Sequence, residues 1–122
     1  VVTTPQLTAQ RVARRAAAMA DRVELPVIGV VENMSWFVAP DTGARYEVFA
    51  GGGGAALAAD LGVPLLGQVP LESDVARAGD DGLPVVAARP DSPAAVALAE
   101  IARVVADSVG VPQAPPIPLP AG

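Results

Sequence analysis

Asn33 carries the most specific chemistry that one side chain offers here. It follows the apolar run Pro26–Val31 and Glu32, so it is predicted to stand just past the C-terminal end of a buried strand. In open parallel sheets that edge is where ligands bind. A carboxamide donates and accepts side by side, which matches the N6/N7 edge of adenine. The more ordinary reading of such an Asn is a strand-end cap that bonds nearby backbone, since Asn is common in turns. Gln68-Val69-Pro70-Leu71-Glu72 ends the next apolar run and is predicted on the same edge. There Pro70 can pack on a flat ring and the backbone of Leu71 and Glu72 can bond it, or the segment is an ordinary turn.

Gly51-Gly52-Gly53-Gly54 is a second candidate. Its amides can cradle a phosphate at a helix N-terminus, and Gly51-x-Gly53-x-x-Ala56 fits a loose dinucleotide fingerprint. No lysine or hydroxyl accompanies the glycines, and a lone glycine pattern is weakly specific. The alternative is a helix entry that packs closely on the sheet. Asp74, Asp80 and Asp81 are read as solvated turns, since a hard-metal site needs several convergent oxygens.

The chemistry is narrowed further by what is missing. The sequence has no cysteine and no histidine, and all eight of its basic residues are arginine. Thiolate ligands, an imidazole base and a Walker A lysine are therefore absent from these 122 residues. A formal net charge of −5 argues against nucleic-acid or anionic-membrane partners, which need a basic footprint. No apolar run reaches the ~18 residues of a membrane span.

These residues are positioned by alternating strand and helix signals, which predict an α/β fold: a parallel sheet with flanking helices. Val1–Thr3 reads as a strand. A helix opens at Thr4-Pro5 or Thr8, with Ala9, Val12, Ala13, Ala16, Ala20 and Val23 at helical spacing and Gln10 among the arginines of the outer face. Trp36–Val38 and Arg45–Phe49 flank Pro40-Asp41-Thr42-Gly43, a hairpin signal. That excursion gathers all four aromatics, Trp36, Phe37, Tyr46 and Phe49, either as an interface patch or as a local core. Ala55–Leu61 is a short helix stopped by Gly62, and Pro64–Val69 is a buried strand. Glu72–Ala78 forms one or two irregular helical turns, and Gly82–Val86 an extended segment. Ser92-Pro93 starts a helix that Gly110 ends. Residues 1–110 are thus one unit, and 111–122 a proline-rich, loosely extended tail. An opening directly on strand residues predicts the C-terminal part of a longer protein.

In this order the motifs resemble the C-terminal half of the Mrp-type, MinD-related P-loop ATPases, the iron–sulfur cluster carrier proteins. The likeness rests on Val2-Thr3-Thr4-Pro5-Gln6, Gly29-Val30-Val31-Glu32-Asn33-Met34-Ser35, Phe49-x-x-Gly52-Gly53-Gly54, Leu61–Leu71, Gly79-Asp80-x-Gly82-x-Pro84 and Pro90–Ala94. It covers nearly the whole chain except the tail. The resemblance implies a cytoplasmic ATPase that binds ATP in a homodimer and delivers clusters to iron–sulfur apoproteins. It implies that Asn33 contacts adenine and that Pro70, Leu71 and Glu72 border the base. It also implies that the phosphate loop, the switch regions and the Mg²⁺ site lie upstream of Val1, so that this chain alone is inactive. Many members carry a Cys-Pro-x-Cys pair after the Glu-Asn-Met-Ser strand; the aligned positions are Ala39 and Thr42, which cannot ligate iron. Two other readings are a non-catalytic interaction module that keeps the fold and a dinucleotide-binding half domain built on Gly51–Ala56.

Overall fold

The computed structural model describes residues 1–110; the tail expected over 111–122 lies outside them. The described residues form β1 (Val2–Thr3), α1 (Leu7–Arg22), β2 (Val30–Val38), β3 (Arg45–Tyr46), α2 (Gly53–Leu61), β4 (Leu65–Leu71), α3 (Ser73–Asp80), α4 (Val85–Ala88) and α5 (Pro93–Val109).

The sheet is organised around β2. On one side β1 runs parallel to it, with Val2 opposite Val31; on the other β4 is also parallel, with Val31 opposite Gly67 and Asn33 opposite Val69. β3 folds back antiparallel, with Tyr46 opposite Phe37. Phe37 pairs with Leu71 on its other side, so β3 continues the line of β1. The α/β class is as expected, and the hairpin makes the sheet mixed rather than wholly parallel.

Successive strand side chains point to opposite faces, and each face has its own cover. Val30 packs with Ala13 of α1 and Leu57 and Ala58 of α2. Val31 and Val69 pack with Ala94, Leu98, Ile101 and Val105 of α5. Ala78, Val85 and Ala95 tie α3 and α4 to α5. Small residues let these layers approach closely: a β-carbon on Gly67 would collide with the side chain of Ile101.

Several boundaries differ from the sequence expectation. β2 begins at Val30 and continues to Val38, so Pro26–Gly29 is not strand and Asn33 lies within the strand rather than beyond it. β4 reaches Leu71 and α3 is a regular helix. Gly82–Val86 is not extended: Pro84 caps one helical turn, which buries Val85 against α3 and α5. α1 starts at Leu7 without a side-chain cap. Gln10 is buried, not outward, because its Nε2 donates to the Pro5 carbonyl at 3.0 Å.

Candidate nucleotide-binding edge

Asn33 stands where β2 loses its regular register. Asn33 pairs with Val69 and Phe37 with Leu71, so residues 34–36 of β2 face Pro70 alone. Proline has no N–H to give to the ladder, and a bulge is the usual accommodation at such a position. Met34 takes the turn with φ 56°, a left-handed conformation uncommon for a residue with a side chain. The Asn33 Oδ1 accepts the Met34 N–H at 2.9 Å. Among the described residues the Asn33 Nδ2 makes no hydrogen bond. The side chain lines a cavity of about 380 Å³ with Val2, Thr3, Thr4, Ala9 and Val12.

Pro70 and Glu72 are buried and Leu71 is half-buried at the end of β4. The Glu72 carboxylate accepts the Ala94 N–H at 3.0 Å. It thus caps α5 together with Ser92, whose Oγ accepts the Ala95 N–H. Glu72 lines a second cavity, of about 590 Å³, with Ala39, Pro40, Arg89 and Pro93. The register therefore brings Asn33 beside Val69 and Pro70, while the Asn33 and Glu72 side chains line separate cavities. Any contact of Glu72 with a base would have to come from its backbone.

Glu32 is a residue to which spacing along the sequence assigns no role. It is only 1% exposed. Its Oε2 accepts the Gly54 N–H at 2.6 Å, and its Oε1 accepts from Gln68 Nε2 at 2.9 Å and Ser35 Oγ at 2.8 Å. Burial pushes its pKa up, but the bonds from Gly54, Gln68 and Ser35 together hold it below the ordinary carboxylate value. The one available signal is a carboxylate inside an apolar strand, a pattern that demands partners. Ser35 lies on the same strand, but Gln68 and Gly54 come from β4 and α2, which no local spacing connects to Glu32.

The glycine run follows from the same packing. A β-carbon on Gly54 would stand 2.7 Å from the Glu32 Cβ, and one on Gly53 would stand 2.6 Å from the Pro5 carbonyl oxygen. Gly52 is left-handed at φ 90°. The positive amide end of α2 already holds an anion, Glu32. Close approach to Glu32 and to Pro5 accounts for Gly54 and Gly53, and the left-handed turn for Gly52.

Beyond β2, the turn between Val38 and Arg45 is closed by the Ala39 N–H on Ala44 O (2.9 Å) and the Gly43 N–H on Ala39 O (2.8 Å), with Gly43 at φ 70°. Thr42 Oγ1 accepts the Ala44 N–H. Ala39 is buried and Thr42 exposed. Neither carries a donor for a soft iron centre, so the hairpin does not fit a cluster. None of the four aromatics is fully buried, and the Arg45 guanidinium lies 3.6 Å from the Trp36 ring centroid. Asp74 is ion-paired with Arg89 at 2.9 Å. Among the described residues no helix is long and apolar enough to cross a membrane.

This arrangement of strands and helices is that of the MinD P-loop ATPases. MinD from Pyrococcus horikoshii, solved with Mg-ADP, superposes with a TM-score of 0.66 at 19% identity, over 90% of this chain and 42% of that one. At that identity the likeness shows the fold alone. A nucleotide-binding protein of Archaeoglobus fulgidus, in complex with ADP, superposes with a TM-score of 0.56 at 32% identity, over 66% of this chain and 34% of that one. The family model ParA, described as NUBPL iron-transfer P-loop NTPase, matches residues 1–106. The chain belongs to this family of iron-transfer P-loop NTPases. The iron-sulfur cluster carrier protein of Deinococcus radiodurans is 47% identical over 111 residues, which are 91% of this chain and 31% of the relative. The cytosolic Fe-S cluster assembly factor NUBP2 of Bos taurus is 47% identical over 103 residues, 84% of this chain and 38% of the relative. The chain spans about a third of the length of these curated relatives.

Proposed function

We propose that these residues form the adenine-reading part of the ATP site in an iron–sulfur cluster carrier ATPase. The observation that carries this reading is Asn33 itself. Its carboxamide stands at a bulge within β2, beside the C-terminal end of the parallel strand β4, with Nδ2 unengaged among the described residues and Pro70 across the ladder. Asn33 would bond the base edge, Pro70 would pack on its ring, and the backbone of Leu71 and Glu72 would border it. Phosphates and Mg²⁺ would be held by residues outside this chain, which has no lysine.

The cargo is a separate matter. A cluster carried by the full-length protein would need ligands other than Ala39 and Thr42. The hairpin retains an apolar surface, with Tyr46 57% and Val48 52% exposed, and we assign it to contact with a second copy of the protein. Tyr46→Glu is expected to shift the full-length dimer toward monomer in sedimentation velocity, and an unchanged dimer would remove that assignment.

The test of base reading is nucleotide binding by the full-length protein, followed calorimetrically. Asn33→Ala should weaken ATP by about 1–3 kcal/mol, the cost of removing a buried hydrogen-bond partner. GTP, which presents O6 instead of an amino group, should lose less. Equal losses for both nucleotides would mean that Asn33 holds the bulge rather than reads the base.

A further inference from the structure

Resting on the reading of Asn33 as the adenine contact, we infer that Glu32 and Ser35 are positioning residues that fix the carboxamide of Asn33 and so set the preference for adenine. The geometry is a clamp closed over two residues. Ser35 Oγ is 2.8 Å from the Glu32 carboxylate and 3.1 Å from the Glu32 carbonyl oxygen. One hydroxyl has one proton to give, so the two acceptors share it, and both draw Ser35 back toward Glu32. The chain between them, Asn33-Met34, has to loop outward, and Met34 is in the left-handed region at φ 56°. A residue with a side chain persists there when its surroundings over-determine it.

Glu32 supplies that over-determination because it cannot move. Its carboxylate is tied to β4 through Gln68 and to the first turn of α2 through Gly54. Gly54 brings α2 so close that a β-carbon there would press on Glu32. Opposite the bulge Pro70 offers no N–H, so the ladder does not pull residues 34–36 back into register. The Asn33 Oδ1 is then held on the Met34 N–H at 2.9 Å, which orients the carboxamide plane and leaves Nδ2 to donate to the adenine N7 and the second Oδ1 lone pair to accept from the N6 amino group. Loss of the clamp would let the bulge relax and rotate that plane, with Asn33 itself intact.

The test compares Glu32→Gln, Ser35→Ala and Asn33→Ala in the full-length protein, with calorimetric binding of ATP and of GTP and a thermal melt for each. Ser35→Ala leaves Glu32 its Gly54 and Gln68 bonds, so it stays informative where Glu32→Gln fails to fold. Glu32→Gln should weaken ATP about tenfold and Ser35→Ala about threefold, with GTP nearly unchanged. Adding either to Asn33→Ala should cost little more than Asn33→Ala alone, since coupled residues are not additive. The inference is overturned if Asn33→Ala lowers the ATP/GTP ratio while both clamp variants leave it unchanged. It is also overturned if the clamp variants weaken both nucleotides equally in step with a lowered melting temperature, which is a purely structural role. If Asn33→Ala leaves the ratio unchanged, the adenine reading itself fails, and the positioning role fails with it.

Discussion

Glu32 exchanges the hydration of a carboxylate for three protein donors, and the balance of those terms sets its protonation. Burial favours the neutral form, while the Gly54 amide, Gln68 and Ser35 favour the anion and prevail. The folded pKa is therefore below the unfolded one. Such a group contributes its stability fully above the unfolded value and loses it as pH falls through the folded value. Glu32→Gln should lower the stability of the protein by about 2 kcal/mol near neutral pH, the size of a hydrogen bond to a charged group. That difference should shrink below the ordinary carboxylate value of 4.5. Thermal melts of both proteins across pH 7 to about 3 check this; a gap that widens toward acid would show that Glu32 is protonated in the fold. Glycines nearby follow from the same contact. Gly54→Ala drives a methyl into Glu32 and should cost about 1–3 kcal/mol, as overpacking does. Gly79 lies inside α3 with ordinary φ, and open space surrounds the place that a β-carbon would take. As alanine it should gain up to about 1 kcal/mol. Opposite signs in chemical denaturation are the expected result.

Elements differ in how far local residues determine them. α5 was legible at both ends because its signals are local: Ser92 caps the Ala95 N–H, Pro93 fits the first turn, and Gly110 takes φ 69°. The hairpin was legible for the same reason, since Pro40–Gly43 supplies its own turn bonds. β2 was not. Its apolar start suggested Pro26–Val31, yet the strand runs from Val30 to Val38 through Glu32, Asn33 and Ser35. Those polar residues belong in a strand only because Gln68 and Gly54, 36 and 22 residues away, satisfy Glu32. The turn at Val85 was missed likewise, because its burial depends on Ala78 and Ala95. Of the candidate site, Asn33 and Pro70 are legible as residue types, whereas the placement of Asn33 inside β2 and the bulge opposite Pro70 are not. Ser92→Ala should test the locally determined end: loss of the cap is expected to cost about 1 kcal/mol. A loss well above that would mean that Glu72, which shares the α5 terminus, is displaced with it.

Across the whole molecule two carboxylates, Glu32 within β2 and Glu72 just past the end of β4, do the same job on opposite faces of the sheet. Glu32 occupies the amide end of α2 and Glu72 that of α5. These helix termini are where a free phosphate would otherwise be drawn, and in each a glutamate side chain already accepts the amide. The formal charge of the chain is −5, and it holds no lysine. Phosphoryl transfer is positioning and charge stabilisation with little else for the protein to do, and with no lysine and with these two helix ends already occupied the chain offers neither device there. The proposed adenine contact at Asn33 is compatible with this arrangement, because a base is recognised through hydrogen bonds and packing rather than through charge. The 122-residue chain alone is therefore expected to release no phosphate from ATP above the buffer blank, while the full-length protein does so and loses ATP preference with Asn33→Ala. Phosphate release by the purified chain that disappears on Glu32→Gln or Glu72→Gln would overturn the division of labour between base and phosphates.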